Sequence, residues 1–424
     1  MTTIDQLAAE LHDFLQKQLG GATGDAPGGI AMFFDKGGTP LAAADFGFND
    51  NPNQQQLFSH QRAAQLADQL PVSDALAEGW YLTRTGGKLS NWYADALRGS
   101  ICLQGTEQEK NSFETRKADA LAKLDGNKML EVSGATDAGN SIDATGSHDV
   151  YYATGMSPAN WFLPNADCWA TYHQQSGDQP SGNPVPSPTP SAVQHPTFTF
   201  RVVSQTQAPA VGAFLTRASL LAAPTVAASP PPARPLLVNS GVLASFQSRA
   251  LMQPVATVAT VEPLSHVVAA NELQFRVLPP AVIDREALQA ATSEQPVKSV
   301  GFHIDFDYCL VNFDRPWWDE VFLSVPPGWA IPGYRRGQVA SGSLNGPSGF
   351  ITLITVGMVV IRNLSIEASW TEEDQKALAA NALSLGPFCV AGGSWNNQKF
   401  SRPGMQVVAW ICQIPPLLPA LDAA

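Results

Sequence analysis

The 424 residues are 44% hydrophobic and include ten tryptophans, enough apolar material for two or three domains with cores and too much for wholesale disorder. Only 15% of residues are charged, and the net charge of −12 is uneven: residues 1–178 carry 22 acids against 11 bases, the remainder 15 against 14. Neither part clusters Lys and Arg as a phosphate backbone requires, which excludes nucleic acid as a partner.

The chain opens on an expected helix. Thr3 and Gln6 form a capping-box pattern, Ile4, Leu7, Leu11, Phe14 and Leu15 make one apolar stripe, and Gly20-Gly21 ends it. This start is polar rather than basic-then-apolar, so no signal sequence is read and a cytoplasmic location is expected, with export by a dedicated machine left open. Glycine pairs at 28–29 and 37–38 bracket a short buried-strand candidate, residues 30–34. Residues 57–70 read as a second helix. Thr106 and Glu109 repeat the capping box ahead of a third, ending near Leu124. A polar loop is expected over 133–149, followed by the aromatic cluster of Tyr151, Tyr152, Trp161, Phe162, Trp169 and Tyr172.

The middle is defined by what it lacks. Residues 179–270 hold four arginines and one acid, with no Lys or Asp. Proline at alternate positions from 184 to 190, and again around 230–235, indicates an extended semi-rigid connector. Residues 197–203 alternate as a strand.

Beyond Glu272 the pattern turns to strands. Leu273, Phe275 and Val277 alternate, as do Val300, Phe302, Ile304, Phe306, Tyr308 and Leu310. Residues 350–366 suit one bent strand or a hairpin with Gly357 as a bulge. Thr371, Glu372, Glu373 and Asp374 start a short helix with charges favourable at its N-terminus. Residues 405–414 form a last strand before Pro415-Pro416. The expected class is α+β: a helix-containing N-terminal region (1–173), a charge-poor connector (174–235), and a mainly antiparallel, sandwich-like β domain (236–424). The longest apolar run is about half of what a spanning helix needs. Five widely spaced cysteines without a C-x-x-C pair suit free thiols better than a disulfide framework.

No nucleophile elbow, phosphate loop, dinucleotide fingerprint or H-E-x-x-H pattern occurs, so no cofactor is assigned. One candidate set is His303, Asp305 and Asp307, which a strand places on one face and which offer an imidazole and two carboxylates to a divalent metal. Same-face positions are about 7 Å apart along a strand, which makes convergence of all three difficult, and a half-solvated strand shows the same alternation. The other is a Pro-rich segment with Trp317, Trp318, Trp329, Arg315, Arg335 and Arg336, residue types that dominate binding hot spots when held on rigid loops. The opposing expectation is that its indoles are core. The absent catalytic signatures favour a non-catalytic binding or assembly protein whose partner is another protein or a second copy. A membrane-active protein and a metal-dependent hydrolase using the His303 set are the alternatives.

Overall fold

An apolar stripe with period 3.6 must find a surface to cover, and the first helix, α1 (Ile4–Gln18), does so by burying Leu7, Leu11 and Leu15. His12 goes in with them, its Nε2 3.2 Å from the Met32 carbonyl oxygen. The computed structural model describes residues 4–19, 25–42, 46, 52–130, 150–175, 201–205, 292–344, 349–379, 382–396 and 398–423. Expectations for the Thr3 cap, the 133–149 loop, the proline-rich connector and the 273–277 alternation lie outside the described residues. Residues 1–214 and 281–424 gather into one compact unit, to which everything below belongs.

The 30–34 strand candidate is longer than expected. Strand β1 (Ile30–Leu41) passes through Gly37 and Gly38 with a shift of register between Phe34 and Thr39. Gly38 is required there: its φ is +69°, and a Cβ would stand 2.6 Å from the backbone N of Cys389. Next come α2 (Pro52–Ala67), β2 (Gln69–Pro71), α3 (Ser73–Ala77), β3 (Trp80–Tyr81), β4 (Thr83–Lys88) and α4 (Leu89–Gly99). Helix α5 (Glu107–Gly126) begins with the expected capping box: Thr106 Oγ1 accepts from the Glu109 N–H and Glu109 accepts from the Thr106 N–H. Short strands β5 (Lys128–Leu130), β6 (Val150–Tyr152), β7 (Gly155–Ser157), β8 (Ala170–Gln175) and β9 (Arg201–Gln205) complete this half.

The second half holds β10 (Thr292–Pro296), β11 (Val300–Asp314), the one-turn helix α6 (Glu320–Leu323) and β12 (Ile354–Ser369). The 350–366 segment is therefore one long strand rather than a hairpin, and it shifts register against its neighbour at Gly357. Helix α7 (Glu372–Ala379), β13 (Ala382–Leu385), β14 (Phe388–Cys389), β15 (Ser394–Asn396), β16 (Lys399–Arg402) and β17 (Met405–Gln413) follow.

The class is α+β. Nine strands form the main sheet in the order β15-β16-β12-β17-β1-β3, with β11 pairing the free edge of β12 and carrying β7 and β8 on its own far edge. Every described ladder in it is antiparallel except β1 with β3. The sheet draws strands from both sides of the connector, since β1 lies against β17 and β8 against β11. A four-stranded sheet, β10-β9-β13-β14, and two two-stranded ladders, β2-β4 and β5-β6, stand apart from it.

Alternation along β11 decides where a site can be. Phe302, Ile304 and Phe306 pack into a core with α1, Leu364, Ile366 and Phe400. The opposite face is divided. Cys309 and Val311 are buried among Trp161, Met358, Val360 and Trp410, whereas His303, Asp305 and Asp307 at the other end remain half-buried. A third core joins α4, α5 and α6 around Trp317 and Trp329.

Candidate metal centre

Directly opposed residues on antiparallel strands share a face, with Cβ atoms about 4.5–5.5 Å apart. The register of β8 on β11 places His173 opposite Asp305, Gln175 opposite His303 and Thr171 opposite Asp307. On the other flank, β12 places Glu367 opposite His303 and Ser365 opposite Asp305. Chemistry-bearing side chains from three strands therefore meet on the open part of this face.

Three of them converge. The donor atoms of His173, His303 and Asp305 all lie within 4.8 Å of one another. Asp305 stands between the rings, with one carboxylate oxygen against Nδ1 of His173 and the other 3.0 Å from Nε2 of His303. The two imidazoles meet edge to face, centroids 4.6 Å apart. His173 is exposed, while the His303 and Asp305 side chains keep 23% and 29% of their surface, so the trio opens to solvent on one side. Two imidazole nitrogens and one carboxylate oxygen suit a divalent first-row transition ion, whose tetrahedral ligand atoms stand roughly 3.3 Å apart.

Asp307 does not join them. Its Oδ1 accepts from Thr171 Oγ1 at 3.1 Å, and its Oδ2 accepts from Arg362 Nε at 3.2 Å and Asn363 Nδ2 at 2.9 Å. Arg362 is itself fixed, donating to the Pro164 carbonyl and lying 4.2 Å over the Trp169 ring. Both oxygens of Asp307 are thus committed to holding β11, β8 and β12 together. His173, which no residue pattern above marks, is on strand β8. Its contribution was hidden because a six-residue strand with the sequence Ala-Thr-Tyr-His-Gln-Gln has a single large apolar residue, too little for alternation to register.

The tryptophan-rich segment is arranged differently. Trp317 and Trp329 are fully buried, the first with its Nε1 toward Thr154 Oγ1 (3.4 Å), the second donating to the Phe322 carbonyl (3.2 Å) and stacked on that ring. Trp318 is half-buried against Tyr93. Arg315 turns inward and donates from Nη2 to the carbonyls of Ala67, at 2.6 Å, and Thr355. Burial lowers its guanidinium to about 10. Arg335 and Arg336 alone among the six are exposed. Of the tryptophans and arginines in this segment, those two and the edge of Trp318 reach the surface.

A separate group of titratable side chains is internal. Asp35 Oδ2 accepts from Thr39 Oγ1 and Trp410 Nε1, both at 2.8 Å. Tyr81 stacks on Trp410 and shares a 2.7 Å hydrogen bond with Thr355 Oγ1. Desolvation pushes the Asp35 carboxyl up to about 6 against the opposing pull of these donors, and it raises the Cys412 thiol to about 12. Asp35, Tyr81, Thr355, Trp410 and Cys412 are buried, which suits a tie between β1, β3, β12 and β17.

No helix of the described residues is long and apolar enough to cross a membrane. No protein family, curated protein or solved structure matches this chain.

Proposed function

We propose that this protein binds a divalent transition-metal ion on the open face of its main sheet, through His173, His303 and Asp305. The observation that carries the reading is the convergence of their three donor atoms within 4.8 Å, from two neighbouring strands. Three protein ligands on an open face leave coordination positions for water or an added ligand, and an ion held so would supply Lewis acidity and a bound water of lowered pKa. Isothermal titration of the full chain with Zn(II), Ni(II) and Co(II) tests it. One equivalent should bind to the wild type, and His303→Ala should weaken binding by more than roughly a hundredfold, beyond what loss of an outer partner costs. Equal binding by wild type and variant would discard the reading.

Protein binding or self-association is a second reading, favoured by one observation. Val321 on α6 is 56% exposed, more than any other large hydrophobic side chain of the described residues, beside a shallow hollow lined by Ser112, Arg116 and Pro326. Light scattering of the wild type and Val321→Asp checks the self-association: a concentration-dependent increase in mass that the variant lacks would support it, and a monomer in both would end it.

A further inference from the structure

The proposed metal reading leaves open what else reaches the ion, and the sheet register supplies a candidate. Across four strands, one rung of the open face runs Gln175, His303, Glu367, Lys399, and the next runs His173, Asp305, Ser365, Ser401. Glu367 thus stands to His303 as His173 stands to Asp305: one strand away, same face, directly opposed. At that separation a glutamate, one methylene longer than aspartate, spans to an ion held beside the His303 ring.

Two further observations single out this place. Lys399 Nζ lies 2.8 Å from Glu367 Oε1 and approaches from β16, the flank away from His303. The pair is half-exposed on both sides, so it is weakly held and readily opened. On the second rung, Ser365 Oγ is shielded from solvent and makes no hydrogen bond to any described residue. A shielded hydroxyl without a partner calls for an ion or an ordered water beside it, and this one is opposite Asp305 on the same face.

We propose that Glu367 is the fourth protein ligand of the metal, and that Lys399 is its competitor, holding the carboxylate when the ion is absent and releasing it when the ion binds. No proton moves in the exchange: Lys399 stays an ammonium, and the Glu367 carboxylate trades a hydrogen-bonded ion pair for a dative bond. The Ser365 hydroxyl then donates to a ligand carboxylate or to a water on the ion. This rests on the metal reading. Four protein ligands then hold the ion, and Glu367 and Lys399 have opposite effects on affinity.

Cobalt(II) titration followed by its visible d–d absorption tests the inference on the full chain. The expected result is a strong four-coordinate spectrum in the wild type. Glu367→Gln, a half-exposed and conservative change, should weaken Co(II) by about tenfold or more and move the spectrum toward weaker, water-rich absorption. Lys399→Ala should tighten binding by several-fold without altering the spectrum, because it removes the competitor and a nearby positive charge. A wild-type spectrum and affinity in Glu367→Gln would overturn the role of Glu367 while leaving the three-ligand site intact. Weaker binding with an unchanged spectrum would also overturn it, since that is the signature of charge alone. Failure of the wild type to bind Co(II) would remove the metal reading itself and this inference with it.

Discussion

His173 and Asp305 are 132 positions apart and face each other directly across β8 and β11, close enough for Nδ1 to meet a carboxylate oxygen. Asp307 is two residues from Asp305 on the same strand and face, yet its carboxylate points its bonding elsewhere, into Arg362, Asn363 and Thr171. Distance along a strand is a poor guide to convergence because same-face neighbours are about 7 Å apart, whereas opposed residues on paired strands are closer.

These two carboxylates should therefore separate in experiment. Asp305→Asn should weaken Zn(II) by more than roughly a hundredfold at little cost in stability. Asp307→Asn should leave Zn(II) affinity within about twofold and lower stability by about 1 kcal/mol, a modest figure because Asp307 and Arg362 are partly solvated. Calorimetric titration and urea unfolding of the two variants, side by side, give the comparison.

Asp35 should make stability depend on pH. Its folded carboxyl titrates near 6 and its unfolded one near 3.8, so between those values the folded chain binds more protons than the unfolded chain. Stability from this group is then fullest below the unfolded value and is lost as pH rises to about 6 and above, by about 3 kcal/mol at most. Asp35→Asn can keep an oxygen acceptor for Thr39 and Trp410 while carrying no charge. It should flatten the melting temperature between pH 4 and 7 and raise it at pH 7, as followed by circular dichroism.

Removing the Trp329 side chain should be costly, because its ring is fully buried, stacked on Phe322 and hydrogen-bonded to that residue's carbonyl. Trp329→Ala is expected to cost about 3–5 kcal/mol. Arg335→Ala and Arg336→Ala, whose side chains are exposed, should fall within about 0.5 kcal/mol of wild type. Denaturant midpoints for the three variants decide this.

The capping box of α5 offers a smaller effect. Thr106→Ala removes the hydroxyl that accepts from the Glu109 N–H and should cost about 1 kcal/mol, read as a shift in the urea midpoint with an unchanged slope.

Local signals in the sequence located much of the fold. The stripe of α1, the capping box of α5, the alternation of β11 and the acidic start of α7 each appear where residue pattern places them, because each is a rule about neighbours in the chain. The extent of β1 was not legible, since its continuation past Gly37 and Gly38 is held by pairing with β17 rather than by its own residues. Nor was α4, whose cap residue Lys88 makes no side-chain cap bond to announce the start.

The same division holds for the site. Sequence alone determined that His303, Asp305 and Asp307 share one face of a strand and that a Trp-rich, Pro-restrained segment follows, because period two and proline stereochemistry are local. Only the tertiary structure decided that β8 lies beside β11 and brings His173 to Asp305, that Arg362 and Asn363 take Asp307 out of the group, and that Trp317 and Trp329 turn inward. Strand register and burial are settled by packing across long sequence separations, where many pairings satisfy the same local pattern and the core selects among them.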